Sequence, residues 1–382
     1  MDLFDPELFE GVRRALTEAE TLPPECYTSP EFHAREIETI FMKKWNLIGR
    51  GDDVANPGDY MVRTLVGVSF IVMRGGDGEI RGFVNSCRHR GSRLLGGAGS
   101  CERIVCPYHG WTYATDGRLE FANGMETAID FDPADYGLTE IRLAVWSGFV
   151  FVSFDPTGPD IETYVGDLGE HLASYRLHDM VTVKREEHLV ATNWKSYVEN
   201  SMESFHHPTV HKYSVNNPHI KKHNVIGDPG QYVLVQSDSG GETRALLAGD
   251  AGFPNIRTLQ GAAARGSQYL LIYPATMIGC DVDSMWFKQM VPEGPGRVRN
   301  IVAICFPRET VERADFDRVV PSYYKRFDIA IAEDNAIAEQ QYQGLVSPLA
   351  RPGRFSEREP MVHVIDNWVL DQVLDTGNAE IS

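Results

Sequence analysis

Two short segments restrict the fold of this chain more than any other feature. Asn85-Ser86-Cys87-Arg88-His89-Arg90-Gly91 carries one cysteine and one histidine, and Cys106-Pro107-Tyr108-His109-Gly110-Trp111 carries another of each. Sixteen residues separate His89 from Cys106. A structural zinc finger usually takes a cysteine pair from one segment and a histidine pair from another. A segment that offers one of each is useful only if two such loops face one another, and Gly91 and Gly110 allow the tight backbone this needs. The surrounding sequence suits such loops. From Asn46 to about Phe154, short runs such as Tyr60–Leu65, Ser69–Met73, Gly82–Asn85 and Gly148–Phe154 are punctuated by glycines, including Gly75, Gly76 and Gly78, and read as a small all-β module.

The flanking sequence has a different texture. Ser29-Pro30-Glu31 reads as an N-cap, a proline at the first helical position and an acidic first turn, so residues 1–45 are expected to be mostly helical. Asn193–Phe205 reads as a helix with Pro208 beyond its end. Tyr232–Ser237, Ser267–Tyr273, Ser284–Val291 and Arg297–Phe306 alternate like strands of one antiparallel sheet, and Thr310–Gln343 reads as a long polar helix. The expected class is α+β, with three parts: an N-terminal helical segment over 1–45, the β module over 46–158, and a larger domain over 159–382.

A second constellation lies in that larger domain: Glu203-x2-His206-x4-His211. Glu203 and His206 are three apart and would share a helix face. His211 is five beyond His206, roughly 140° around an ideal helix, so the two histidines can meet one metal only if the helix breaks, and Pro208 is the expected break. Composition narrows the chemistry. The 382 residues carry 36 Lys plus Arg against 54 Asp plus Glu, a net charge of −18, which argues against nucleic acid or an anionic membrane as partner. No apolar run approaches a membrane span, and the first residues lack the pattern of a secretory signal. Six cysteines are too few for a disulfide framework in a chain of this size, and Cys101 reads as a loop thiol, so the expected setting is a cytoplasmic protein with metal-binding cysteines.

The two loops resemble those of the Rieske domain, in which two thiolates bind one iron of a [2Fe–2S] cluster and two imidazoles bind the other. Ser92, Tyr108 and Trp111 stand where the respiratory-complex type has a loop disulfide and a serine, so the likeness is to the low-potential oxygenase and ferredoxin branch. The order of helical segment, Rieske module and Glu203–His211 motif resembles the catalytic α subunit of Rieske non-haem iron oxygenases over nearly the whole chain. The resemblance implies a helix-grip-type catalytic domain with a central antiparallel sheet. It also implies Cys87, His89, Cys106 and His109 as cluster ligands, and His206, His211 and Asp334 as a facial triad for a mononuclear Fe(II), with Glu333 the alternative carboxylate. Glu203 matches an acid that links His206 to a Rieske histidine, here His109, of a neighbouring subunit in a head-to-tail homotrimer. His207 matches no ligand and is expected to face solvent or the helix end.

The same resemblance implies a terminal oxygenase that uses O2 and electrons from NAD(P)H, delivered by a reductase and in some systems a ferredoxin. Arg81, Arg88, Arg90, Arg93 and Arg103, near the cluster loops and opposed by Glu102 alone, form a basic patch that could steer an acidic carrier. The pocket is expected to draw on Tyr197, Met202, Phe205, Tyr269, Tyr273 and Trp286, a set that suits either an arene or, through cation–π contacts, an alkylammonium group. Hydroxylation of a small organic molecule, with or without N- or O-dealkylation, stands beside cis-dihydroxylation of an aromatic ring. An electron carrier using only the Rieske half is the reading from another class.

Overall fold

The computed structural model describes residues 2–212, 214–215, 221–226 and 230–374, with the backbone alone described over 221–226. The chain divides into two compact units, Lys43–Glu162 and Met1–Met42 with Thr163–Ser382.

The unit Lys43–Glu162 is all β. Its strands are β1 Asn46–Arg50, β2 Asp59–Leu65, β3 Val68–Arg74, β4 Ile80–Val84, β5 Ala98–Ser100, β6 Arg103–Val105, β7 Thr112–Ala114, β8 Leu119–Phe121, β9 Glu140–Trp146 and β10 Phe149–Ser153. Seven form an antiparallel sheet in the order β1-β10-β9-β4-β3-β2-β5, and β6-β7-β8 form a second, smaller one. β-Branched and aromatic residues dominate β3 and β10, as a pleated buried surface favours. Two hairpins close on residue pairs with φ positive at both positions, Val66-Gly67 and Ser147-Gly148, the backbone that matches strand twist in a two-residue turn. The core of Ile71, Met73, Phe83, Ile104, Trp111 and Tyr113 also contains Cys87 and Cys106, so both thiols are built into the apolar centre.

The second unit is helix on sheet. Its strands are β11 Met180–Val190, β12 Lys221–Ile226, β13 Tyr232–Asp238, β14 Gly266–Ile272, β15 Thr276–Cys280, β16 Met285–Gly294 and β17 Arg297–Pro307. They form one antiparallel sheet ordered β11-β17-β16-β15-β14-β13-β12. The longer helices are α1 Pro30–Glu36, α2 Trp194–Met202, α3 Phe316–Leu345 and α4 Pro360–Leu374. Ser29 caps α1 as expected, its Oγ accepting from the backbone N–H of Glu31 at 3.1 Å and of Phe32 at 3.3 Å. α2 packs on β14 and β16 and against α3 and α4, and β15 is buried along its whole length. No described helix is long and apolar enough to cross a membrane.

Two expectations about helices are corrected. The long C-terminal helix starts at Phe316, after a separate short helix Arg308–Val311, rather than at Thr310. α2 ends at Met202, not Phe205, and Glu203 is extended with φ −120° and ψ 166°. The break therefore precedes Pro208, and Glu203 does not share a helix face with His206. Its cause is Glu203 itself, whose carboxylate accepts from the backbone N–H of Phe205 and of His206, offering those donors an alternative to the helical ladder.

Candidate metal centres and active site

The two loops of the β unit are built alike. The N–H of Cys87 donates to Ser92 O at 2.8 Å, and that of Cys106 to Trp111 O at 2.8 Å; Gly91 N–H returns to Cys87 O at 2.9 Å, and Gly110 N–H to Cys106 O at 3.1 Å. Gly91 and Gly110 hold φ of 72° and 74°, a left-handed backbone that side chains disfavour. Between the loops the His89 and His109 rings lie 4.7 Å apart, and His89 stacks on Trp111 at 4.9 Å. Burial pushes the Cys106 thiol up, but the backbone N–H groups of Tyr108 and His109, with Cys87 and Ser92 beside it, more than offset this and favour the thiolate. Tyr113 reaches Cys87 Sγ at 3.2 Å. The Nδ1 atoms of His89 and His109 are buried and make no hydrogen bond. Two sulfurs and two lone-pair nitrogens, buried and facing one another, fit a [2Fe–2S] cluster held by two thiolates and two imidazoles.

In the second unit, residues from α2's end and from α3 converge. His211 Nε2 lies 2.9 Å from Asp334 Oδ1, and His206 Nε2 lies 3.8 Å from the same oxygen. Each imidazole is held from behind by a carboxylate: His206 Nδ1 by Glu203, and His211 Nδ1 by Glu333 at 2.8 Å. A carboxylate on Nδ1 places the proton there and leaves Nε2 as a lone pair, the arrangement that orients metal-binding histidines. His206 Nε2 and Asp334 Oδ1 are buried and make no hydrogen bond. Asp334's other oxygen is 3.4 Å from Lys288 Nζ. Burial pushes the Asp334 carboxyl up, yet Lys288 and the two histidines draw it down to about 2, so it is an anion. These atoms fit a ferrous ion bound by two imidazoles and one carboxylate oxygen. Glu333, the other candidate acid, sits on the Nδ1 side of His211 and is hydrogen-bonded by Ser214.

The centre opens into a cavity of about 160 Å³ lined from α2, the sheet and α3. Of the expected lining residues, Met202, Tyr269 and Trp286 do line it. Tyr197, Phe205 and Tyr273 do not. Tyr197 is buried beneath the site with its hydroxyl between Asn335 and Asn300, at 2.8 Å each. Tyr273 stacks on Trp368 at 4.2 Å, and Phe205 is exposed under Arg358. His207 is corrected in the other direction. It lines the cavity, its ring 4.7 Å from His206 and 5.3 Å from His211, with a ligand atom within 4.8 Å of theirs. Burial and the two neighbouring imidazoles pull its pKa down to about 2, so it is neutral.

Comparison with known proteins fits this geometry. Residues 44–132 match the Rieske [2Fe-2S] domain, and residues 176–375 match the catalytic domain of the ring hydroxylating alpha subunit. The chain belongs to the ring-hydroxylating α-subunit family. It is a Rieske terminal oxygenase, the oxygenase subunit of a multicomponent system that needs a reductase. It is 28% identical over 380 residues to the chloroplastic choline monooxygenase of Spinacia oleracea, covering 97% of this chain and 81% of that one. The quaternary ammonium Rieske monooxygenase CntA, solved with L-carnitine, superposes with a TM-score of 0.78 at 24% identity, covering 93% of this chain and 96% of that one. Naphthalene 1,2-dioxygenase from Rhodococcus sp. gives 0.74 at 20% identity, covering 98% of this chain and all of that one. At those identities the two structures share this oxygenase's fold.

What sequence reasoning missed in this oxygenase is its cations. Lys288, Arg244, Arg326 and Arg358 all line the cavity. Lys288 could have been noticed as a lone charge inside the apolar run Met285–Val291, and Arg326 as the residue eight before Asp334 on the same helical stripe. Within the basic patch of the Rieske unit, Arg81 pairs with Asp77 at 2.7 Å and Arg103 with Glu120 at 2.6 Å. Arg88, Arg90 and Arg93 are exposed and form no ion pair among the described residues.

Proposed function

We propose that Cys87, His89, Cys106 and His109 hold the [2Fe–2S] cluster, that His206, His211 and Asp334 hold the mononuclear iron, and that the enzyme hydroxylates a small organic molecule, with dealkylation where the attacked carbon bears a heteroatom. The observation that carries this reading is the pattern of unused ligand atoms. Each unit holds buried ligand atoms without a hydrogen bond: the Nδ1 atoms of His89 and His109 between the β-unit loops, and in the other unit Nε2 of His206 beside Oδ1 of Asp334. Leaving such atoms unpaired in the interior is costly unless a metal takes them. When bound, the iron supplies oxygen activation beside the substrate and the cluster supplies an electron.

The chain's own residues set the stage for that chemistry. Glu203 and Glu333 lock the imidazoles into the tautomer that presents Nε2. Lys288 engages Asp334 Oδ2 and leaves Oδ1 for the metal. In a head-to-tail homotrimer Glu203 would also receive the neighbouring subunit's Rieske histidine, so we assign it the link between the two centres. The exposed Arg88, Arg90 and Arg93 support docking of an acidic ferredoxin or reductase at the cluster. The test is iron analysis with a turnover assay: about three irons per chain, and O2 uptake coupled to NAD(P)H oxidation with a surrogate reductase and a substrate panel. Two irons per chain with no coupled O2 uptake would reduce the protein to an electron carrier.

A further inference from the structure

Among the described residues, four cationic side chains line the cavity, Arg244, Lys288, Arg326 and Arg358, against two carboxylates, Glu203 and Asp334. Both carboxylates are already committed, Glu203 to His206 and the backbone, Asp334 to Lys288 through Oδ2 and to the proposed metal position through Oδ1. The cations are less well served. Arg326 is buried, makes no hydrogen bond or ion pair among the described residues, and its Nε is shielded from water. Arg244 is buried with Nη1 donating to Ser237 Oγ at 2.9 Å and Nε unpaired. A further buried acid, Asp281, accepts from Ser267 Oγ and from the backbone N–H of Arg244 at 3.3 Å. Burial draws the Arg326 guanidinium below its ordinary value, and Arg244 adds to this, although Tyr269, Asp281 and Asp334 pull the other way.

The aromatic rings of the cavity are occupied as well. Arg244 lies 5.6 Å from the centre of the Tyr269 ring, Lys288 5.5 Å from Trp286, and Arg326 5.0 Å from Phe327. An incoming ammonium would find each of these rings already facing a cation of the protein, and no spare carboxylate among the described lining residues. Two buried guanidinium groups with free donors make the opposite kind of receptor, one that pairs with a planar anion. Met202, Val235, Ala330 and Ile331 add an apolar wall for the rest of a ligand.

We propose that the substrate of this oxygenase carries a carboxylate on an apolar body, and that Arg244 and Arg326 together bind that carboxylate. The assignment rests on the oxygenase reading above and names its substrate class. It sets this chain apart from an enzyme that selects its substrate by an unneutralised quaternary ammonium group.

The test is anaerobic calorimetry on the iron-replete holoenzyme with benzoate, 3-phenylpropionate, benzamide and phenyltrimethylammonium. The carboxylates should bind at least about tenfold more tightly than benzamide, and phenyltrimethylammonium should bind least. Arg244→Gln and Arg326→Gln should each weaken carboxylate binding about 10- to 100-fold while benzamide affinity stays put. Should either variant fail to fold, Arg326→Lys decides: with charge kept and the planar fork lost, the preference for benzoate over benzamide should shrink. Equal binding of benzoate and phenyltrimethylammonium, or unaltered carboxylate preference in these variants, overturns the proposal. Iron content and coupled O2 uptake on the same preparation keep the two readings apart. Arginine-dependent carboxylate binding in protein lacking the third iron would keep the anion site and sink the oxygenase, and three irons with coupled turnover but no carboxylate preference would do the reverse.

Discussion

The two metal cradles are held by different forces. In the β unit, backbone hydrogen bonds repeated at the same offsets in both loops set the positions of Cys87 and Cys106, and the thiols rest in an apolar core. In the other unit, each ligand is steered by a charged side chain, and the chain that brings them together spans more than a hundred residues, His211 to Glu333 alone being 122 apart. The helix leading to that site is anchored ionically too: Lys195 lies 2.5 Å from Glu36, and Tyr27 donates to Glu199 at 2.9 Å. A cradle of backbone bonds is local and indifferent to pH, whereas one of side-chain charges is long-range and sensitive to it.

The largest effects should come from removing ligands, and they should stay within one cradle. Asp334→Ala is expected to abolish turnover while the visible absorbance of the cluster is unchanged. Cys106→Ser should erase that absorbance while iron remains at the second site, measured by metal analysis. Loss of both signals in either variant would show that the cradles do not form independently. Next comes Glu203→Gln, which keeps size but removes charge. Single-turnover mixing should show cluster reoxidation slowed about 100-fold, with iron still bound; an unchanged rate would move the link between centres elsewhere.

A smaller effect probes the contrast in pH sensitivity. Burial pushes Glu199 up to about 7, and Asp366 beside it is raised as well. A carboxyl whose folded pKa is raised stabilises the fold below its unfolded pKa, and this contribution is lost as pH rises through 7. Relative to wild type, Glu199→Gln should therefore be more favourable at pH 8 than at pH 5 by on the order of 2 kcal/mol, as read by chemical denaturation. Cluster absorbance should not follow that trend. The smallest effect is local: Gly110→Ala, forced to hold φ near 74°, should cost about 1–2 kcal/mol and show first as faster cluster loss on heating.

This contrast also explains what could be read from the chain. The Rieske loops are contiguous and their ligands, glycines and return bonds all fall within a few residues, so the motif carried most of its own geometry. The α+β class followed from the change in texture near Asn46 and Phe154. At the iron site the residue types were legible, but the bend was not, because it depends on Glu203 taking the Phe205 and His206 N–H groups rather than on Pro208. Proline at that place is instead compatible with a following turn, in which His211 N–H donates to His207 O at 3.0 Å. The pocket fared worst. Aromatic alternation along β14 put Tyr269 and Tyr273 together, yet Tyr273 lies beyond the strand's end against Trp368, and the stripe that joins Arg326 to Asp334 shows that they share a helix face without showing that the arginine is buried.

Arg326, Ala330 and Asp334 follow one another along α3 at intervals of four residues, and all three border the cavity. A helix is stiff and rises about 1.5 Å per residue, so the anchor for one end of a ligand and the place where the other end reacts are graduations on a single ruler about 12 Å apart along its axis. Regiochemistry is then a matter of register. Carrying the arginine one turn closer, to position 330, would favour attack on a shorter molecule, and filling position 330 with a bulky side chain would reject long ones without touching either end. A lineage of such enzymes could change which carbon is oxidised by sliding one charge along one helix, leaving the metal and its ligands untouched.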